Sequence, residues 1–190
     1  MTGKKIGCLS LQGAFLEHQQ MLERLGCETV RTRSKEDLLK IDGLIIPGGE
    51  STTIGKLLLE FGLSDTLLEL AQAGMPIFGT CAGMIMLAKE IEGTDQYRLG
   101  LMDIKVRRNA FGRQVASFEA DLEVEGIDHA VRGVFIRAPL VTDIWGEARV
   151  LSRFEDQMVM VRQHNLLAAS FHPELTDDIS VHDYFLKMIG

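Results

Sequence analysis

What this sequence has little of already removes several classes of function. Cysteine occurs three times in 190 residues, as Cys8, Cys27 and Cys81. An odd count does not close into a disulfide framework, and gaps of 19 and 54 residues match no metal-ligand spacing. Positive charge is in deficit. Twenty Lys and Arg against 27 Asp and Glu leave a formal charge of −7, which argues against a general nucleic-acid binder. One local basic spot remains, Arg107-Arg108 with Arg113. No apolar run approaches the ~18 residues that a membrane span needs. The start, MTGKKIGCLSLQGAF, has two lysines and a short apolar stretch. Gln12, Glu17 and His18 follow quickly and no small-residue cleavage site is evident, so the stretch reads as a first strand rather than a signal peptide. A cytoplasmic setting is expected. Linkers, repeats and low-complexity tracts are missing too, so residues 1–190 are expected to form one domain. The rest is ordinary, with 46% hydrophobic and 25% charged residues.

What is present is a rhythm. KIGCLSL (5–11) reads as a buried strand and FLEHQQMLERLG (15–26) as a helix stopped by Gly26. ETVRT is a second strand, KEDLLK a short helical piece, and GLIIPGG (43–49) a third strand running into glycines. STTIGKLLLEFG (51–62) reads as a helix capped by Ser51, and SDTLLELAQAG (64–74) as another. PIFG (76–79) is a fourth strand, with GMIMLAKEI as the helix after it. Such alternation implies a parallel sheet with helices on both faces. The second half alternates instead like antiparallel strands around NAFGRQ, with hairpin turns at Glu155-Asp156 and His164-Asn165, and closes on a helix, DDISVHDYFLKMIG. The expected fold is α/β: a three-layer sandwich around a mixed, mostly parallel sheet, flavodoxin-like in kind.

Open parallel sheets bind ligands beyond the carboxyl ends of their strands, so the turns there carry the chemistry. Gly79-Thr80-Cys81-Ala82-Gly83 has the form G-x-C-x-G, parallel to the G-x-S-x-G nucleophile elbow. Flanking glycines let two backbones approach without Cβ clashes. The helix N-terminus behind Cys81 favours negative charge, and the Ala82 N–H is left to donate to an oxyanion. The pentapeptide alone leaves two readings open, a buried thiol filling space and a displayed nucleophile. Cys8 and Cys27, in a strand and after a helix stop, read as packing residues.

A thiol nucleophile needs a base. His172, in ASFHPEL, lies at the end of a strand (166–171), and Pro173 keeps it out of the α region and prevents a helix from starting there. In an extended stretch, residues i and i+2 face one way, so Glu174 is placed to orient and charge-balance the imidazole. A solvated surface turn is the plainer reading of His172-Pro173-Glu174 alone. The other four histidines, His18, His129, His164 and His182, read as surface or packing residues. The loop PGGES precedes a helix, where a Gly48-Gly49 peptide can aim an N–H outward as a second oxyanion donor, at Gly49. It lacks the lysine of a P-loop, so phosphate binding is not supported.

Together, the G-x-C-x-G elbow, the Gly-Gly loop one strand earlier and the late His-Pro-Glu resemble the class I, triad glutamine amidotransferases. LSLQGAFLEH, PGGESTTIGKLL, FGTCAGMIMLA, RRNAFGRQ, FIRAP and SFHPEL narrow the resemblance, over almost the whole chain, to the glutaminase subunits of pyridoxal 5'-phosphate synthases. One departure is His164 in VRQHN, where the family would place a glycine. The resemblance implies hydrolysis of L-glutamine to L-glutamate and ammonia, with Cys81 as nucleophile and His172 and Glu174 completing the triad. It implies that Gly49, Glu50, Ser51, Arg108, Ile136 and Arg137 bind glutamine and that Gln12 lies where the partner is met. The implied partner is a (β/α)8-barrel synthase subunit, in a large hetero-oligomer, that uses the ammonia to build pyridoxal phosphate for vitamin B6 supply. No metal or organic cofactor is implied. Two other readings remain: the glutaminase of another amidotransferase, such as imidazole glycerol phosphate synthase, and a non-catalytic α/β partner-binding module.

Overall fold

The computed structural model describes residues 3–111 and 117–190. Arg113 and the end of NAFGRQ therefore lie outside the described residues. The first half runs β1 (Lys5–Leu9), α1 (Phe15–Arg24), β2 (Glu28–Thr32), α2 (Lys35–Leu38), β3 (Gly43–Ile46), α3 (Ser51–Glu60), α4 (Ser64–Gln72), β4 (Ile77–Thr80) and α5 (Ala82–Leu87). The second half runs β5 (Ala88–Ile91), β6 (Met102–Arg107), β7 (Ser117–Leu122), β8 (Val131–Ile136), β9 (Leu140–Ile144), β10 (Arg149–Phe154), β11 (Gln157–Gln163) and β12 (Leu166–Ala169). A 3-10 turn (Pro173–Leu175) and α6 (Ser180–Met188) end the chain.

Among the described residues ten strands form one mixed sheet, nine of them in the order β2-β1-β3-β4-β12-β11-β9-β6-β5, with β10 off this path and paired antiparallel to β11. From β2 through β12 neighbouring strands are parallel. β3, β4 and β12 are buried at every residue, as strands covered on both faces must be. One core layer packs Ile54, Leu58, Leu63 and Leu67 of the α3–α4 region with all of α5. The opposite layer packs Leu22 of α1 and Val181 and Phe185 of α6 with Leu122, Val131 and Phe135 of the β7–β8 pair. The three expected layers are therefore present, with a two-stranded β7–β8 sheet sharing one of the helical faces.

Two stretches differ from the sequence expectation. GMIMLAKEI does not stay helical: α5 stops at Leu87, and Ala88–Ile91 pair in parallel with β6. Local propensity favours the helix there, but the N–H groups of Leu99 and Leu101 take the carbonyls of Met86 and Leu87 at 2.8 Å each, which turns the chain into the sheet. β9 gave no separate signal in the sequence, and it exists because it pairs antiparallel with β6. Both hairpin turns hold, with Glu155 and His164 at positive φ (51° and 52°). At His164 the resemblance leads one to expect glycine, and that conformation is why.

Candidate active site

The sheet sets the location. Because β1, β3, β4 and β12 run parallel, the loops after all four open on one edge. The strand order also reverses at β1, which has β2 on one side and β3 on the other. Such a switch point leaves a crevice above the carboxyl ends.

The loop after β4 carries Cys81, which caps α5 at φ 49°, ψ −102°. This is a conformation that non-glycine residues seldom adopt, and it is held from both sides. The Cys81 N–H bonds the Ala169 carbonyl of β12 at 2.8 Å, and the helix begins at the next residue. Both flanking glycines are required by space. A Cβ on Gly79 would strike the Gly83 carbonyl. One on Gly83 would lie 3.0 Å from the Ile46 carbonyl carbon and nearer still to its oxygen. The thiol is 8% exposed and reaches the Ile136 carbonyl at 3.9 Å.

His172 and Glu174 come together as expected, although by a different local geometry. Pro173 does hold His172 outside the α region (φ −106°, ψ 85°), but residues 173–175 wind into a 3-10 turn rather than continuing extended. That turn brings Glu174 Oε1 to 2.7 Å from His172 Nδ1. The backbone anchors the base as well. Phe171 packs on Phe135 of β8, and the His172 N–H donates to the Val134 carbonyl at 2.8 Å. Burial alone would push the His172 ring toward neutrality. The Cys81 sulfur on one side and the Glu174 carboxylate on the other overcome it and raise the pKa to about 10. Glu174 is fully buried, which works against its charge, but the two imidazoles beside it, His18 and His172, keep its pKa low. With Nδ1 on Glu174, His172 presents Nε2 to the sulfur. The arrangement is a thiol, an imidazolium and a carboxylate in a row.

The loop after β3 closes the other side. Gly48 packs so closely on the base that a Cβ there would lie 3.0 Å from His172 Nδ1 and 3.4 Å from the Cys81 Cβ. The Gly48 carbonyl accepts the Ala14 N–H at 3.0 Å, so the N–H of the same peptide, on Gly49, points the opposite way. Gln12, in the loop after β1, ties the two loops together by accepting the Glu50 N–H at 2.8 Å. The cap of α3 is Glu50 and not Ser51. Glu50 accepts the N–H groups of Thr52 and Thr53, at 3.2 and 2.8 Å, and both threonine hydroxyls. Partial burial opposes its charge, yet these donors hold its pKa at about 2. A carboxylate reaches four donors where a serine hydroxyl reaches one, so Ser51 is displaced into the first turn. There it is buried, and its hydroxyl accepts from Gln96 at 3.0 Å. Gln96 in turn accepts from Arg108 at 2.7 Å, and Arg108 also lies 3.4 Å from Glu50.

A cavity of about 520 Å³ lies among these loops, lined by Gln12, Gly49, Glu50, Ser51, Cys81, Ala82, Arg108, Ile136, Arg137 and His172. Every site residue singled out from the sequence lines it except Glu174, which stands behind His172. A larger cavity of about 670 Å³ is bordered by Glu123, Glu125, Asp128, His129 and Ser152, and among the described residues its imidazole pairs with Asp178 while the Ser152 hydroxyl has no hydrogen-bond partner.

Two features escaped the sequence. Of the five non-glycine residues at positive φ among the described residues, three line this one cavity: Cys81, Asn109 and Arg137. Backbone strain concentrates at binding sites, but φ is not written in residue type. His18 and His182 are not ordinary packing residues either. Both are completely buried, and His18 Nε2 lies 3.4 Å from Glu174 Oε2. The available signal was the place of His18 on the buried face of α1, beside Met21 and Leu22. His129 and His164 are exposed and pair with Asp178 and Glu147 at 3.1 and 2.7 Å.

A family model described as the SNO glutamine amidotransferase family matches residues 8–190. The pyridoxal 5'-phosphate synthase subunit PdxT of Carboxydothermus hydrogenoformans is 58% identical over 186 residues, covering 97% of this chain and 97% of its own. That of Pelotomaculum thermopropionicum is 59% identical over 184 residues, covering 96% and 94%. A solved structure described as a glutamine amidotransferase is 53% identical, with a TM-score of 0.94, and the match covers 97% of this chain and 98% of that one.

Proposed function

The chain belongs to the SNO glutamine amidotransferase family, and from that premise we propose that it hydrolyses L-glutamine to L-glutamate and ammonia. The ammonia goes to the synthase subunit of a pyridoxal 5'-phosphate synthase, a (β/α)8 barrel with which this chain assembles as one glutaminase domain in a large cytoplasmic hetero-oligomer. The observation that carries the reading is the row Cys81–His172–Glu174, with its 2.7 Å imidazole–carboxylate bond, at the wall of the 520 Å³ cavity.

The chemistry follows from the charges. The nucleophilic form is the thiolate, and the imidazolium beside the sulfur is its counter-charge. The Cys81 thiolate attacks the side-chain amide carbon of glutamine, and the carbonyl electrons move onto oxygen. The N–H groups of Ala82 and Gly49 receive that oxyanion. On collapse the C–N bond breaks, and His172 Nε2 gives its proton to the departing ammonia. A γ-glutamyl thioester remains on Cys81. His172, now neutral, takes a proton from water as it attacks, and the C–S bond breaks to give glutamate and the thiolate. Glu174 keeps the imidazole oriented and balances its charge throughout.

Arg108 and Arg137 supply guanidinium donors for the substrate α-carboxylate at the cavity mouth. Glu50 has its carboxylate turned into the α3 cap, and what it offers the substrate is the position of the Gly48–Gly49 loop that it anchors. Gln12 bridges that loop to the chain after β1 by accepting the Glu50 N–H, so a partner bearing on Gln12 acts on the peptide next to the one that carries the second oxyanion donor. On this reading the glutaminase rate rises when the synthase subunit binds.

The test is ammonia release from glutamine, with the synthase subunit present and absent. Cys81→Ala and His172→Asn each abolish turnover while the melting temperature stays within a few degrees of wild type. Near-normal turnover in either variant refutes the triad.

A further inference from the structure

Behind the triad carboxylate the chain buries two more imidazoles. His18 on α1 and His182 on α6 are both 0% exposed, and His18 Nδ1 meets His182 Nε2 at 2.9 Å. The other ring nitrogen of His18, Nε2, lies 3.1 Å from Thr80 Oγ1 and 3.4 Å from Glu174 Oε2. Thr80 is the last residue of β4 and the neighbour of the nucleophile. His18 therefore touches two arms of the site at once, the strand that displays Cys81 and the carboxylate that orients His172. Glu174 Oε2 is buried and makes no hydrogen bond among the described residues, so the His18 ring edge at 3.4 Å is a contact of charge with dipole.

One arrangement of protons fits. His182 Nδ1 is buried and has no hydrogen-bond partner among the described residues. A bare lone pair there costs less than a buried N–H with no acceptor. His182 therefore carries its proton on Nε2 and donates it to His18 Nδ1. The His18 proton then stands on Nε2, where it is donated to Thr80 Oγ1 and its positive end also lies beside Glu174 Oε2. Burial keeps both rings neutral. It outweighs the pull of Glu174 and Glu17 on His18, and of Glu174 and Asp178 on His182, and each ring's neighbouring imidazole (His172 beside His18, His18 beside His182) adds to it.

We propose that His18 is a positioning residue of the glutaminase reaction: its Nε2–H, bonded to Thr80 Oγ1, faces the second oxygen of Glu174 and couples that carboxylate to the nucleophile strand, while His182 fixes its tautomer. This rests on the glutaminase reading above. A carboxylate held through one oxygen alone can swivel, whereas one whose second oxygen faces the His18 Nε2–H dipole keeps Oε1 on His172 Nδ1. Losing the His18 donor also removes a contact that favours the charged carboxylate, so Glu174 protonates at higher pH.

Two amides of different reach test this. Asparagine at position 18 places its carbonyl near Nδ1, where it still accepts from His182, and leaves nothing near Nε2. Glutamine carries its N–H out to the Nε2 position. With the synthase subunit present, His18→Asn loses on the order of tenfold to a hundredfold in kcat, keeps KM for glutamine within about twofold, and shifts the acid limb of the pH profile to higher pH. His18→Gln recovers most of the loss. Folded His18→Asn with wild-type kcat and acid limb overturns the proposal, as does a His18→Gln as impaired as His18→Asn. Where neither variant accumulates folded, nitrogen-15 NMR of the wild-type imidazoles decides. Nε2–H on both His18 and His182 is expected at pH 7, and Nδ1–H on His18 overturns the proposal. If the unaltered complex proves to have no glutaminase activity, the functional reading fails instead, and the tautomer measurement then decides the His18 contact by itself.

Discussion

Gly48→Ala puts the proposed geometry under the most direct stress. Gly48 is not among the residues at positive φ, so its backbone tolerates alanine and the effect comes from contact alone. The new methyl would lie 3.0 Å from His172 Nδ1, closer still to Cε1, and 3.4 Å from the Cys81 Cβ. Carbon atoms need about 3.5–4.0 Å. Relief therefore takes a shift of roughly 1 Å in the imidazole or in the loop. The ring is pinned from behind by Glu174 at 2.7 Å, and the His172 backbone N–H by the Val134 carbonyl at 2.8 Å. The loop is pinned through the Gly48 carbonyl by Ala14 at 3.0 Å. A misplacement of about 1 Å at a reacting centre costs on the order of a hundredfold in rate, or ~2.7 kcal/mol of activation free energy. The assay is steady-state ammonia release with the synthase subunit present, alongside thermal unfolding of the chain. If the ring yields, kcat falls and KM holds. If the loop yields, KM rises, because Gly49 and Glu50 move with it. A Gly48→Ala enzyme with both constants within threefold of wild type would show that His172 does not sit against this loop during turnover, and the site as described would be wrong.

Two further outcomes are expected. Burial holds the His182 ring neutral down to a pKa of about 3 against 6.5 for the free side chain, so the unfolded chain takes up a proton first as the pH falls. Above pH 6.5 the ring is neutral in both states. Between 6.5 and about 3 the fold loses stability, by ~2 kcal/mol at pH 5 from this ring alone. Urea unfolding at pH 7 and pH 5 should show that difference shrink by about as much in His182→Asn, and an unchanged difference would refute the assignment. Arg108→Ala should raise KM for glutamine by about tenfold or more with little change in kcat, the loss expected of one charged hydrogen bond, and a change confined to kcat would remove it from substrate binding.

The sequence determined what is local and periodic. Alternating apolar runs and helix stops were enough to expect a parallel sheet between two helical layers, because burial on both faces leaves that pattern in the residues themselves. G-x-C-x-G was legible as an elbow for a similar reason, since only small residues fit where α5 crosses the carboxyl end of β3. His172-Pro173-Glu174 was legible as a pair, although for the wrong geometry: the side chains meet across a 3-10 turn, which i,i+2 spacing does not distinguish from a strand.

Tertiary structure decided the rest, because it depends on partners distant in the chain. Ala88–Ile91 became a strand only by pairing with β6. Glu50 replaced Ser51 as the cap because Gln12 and Arg108 reach it from elsewhere and its carboxylate reaches four donors. His18 lies 62 residues from Thr80 and 164 from His182, separations over which no local pattern runs. The sequence determined which groups could react. The fold determined which of them meet, since an imidazole becomes a base held charged to about pH 10 only when a sulfur and a buried carboxylate stand on either side of it.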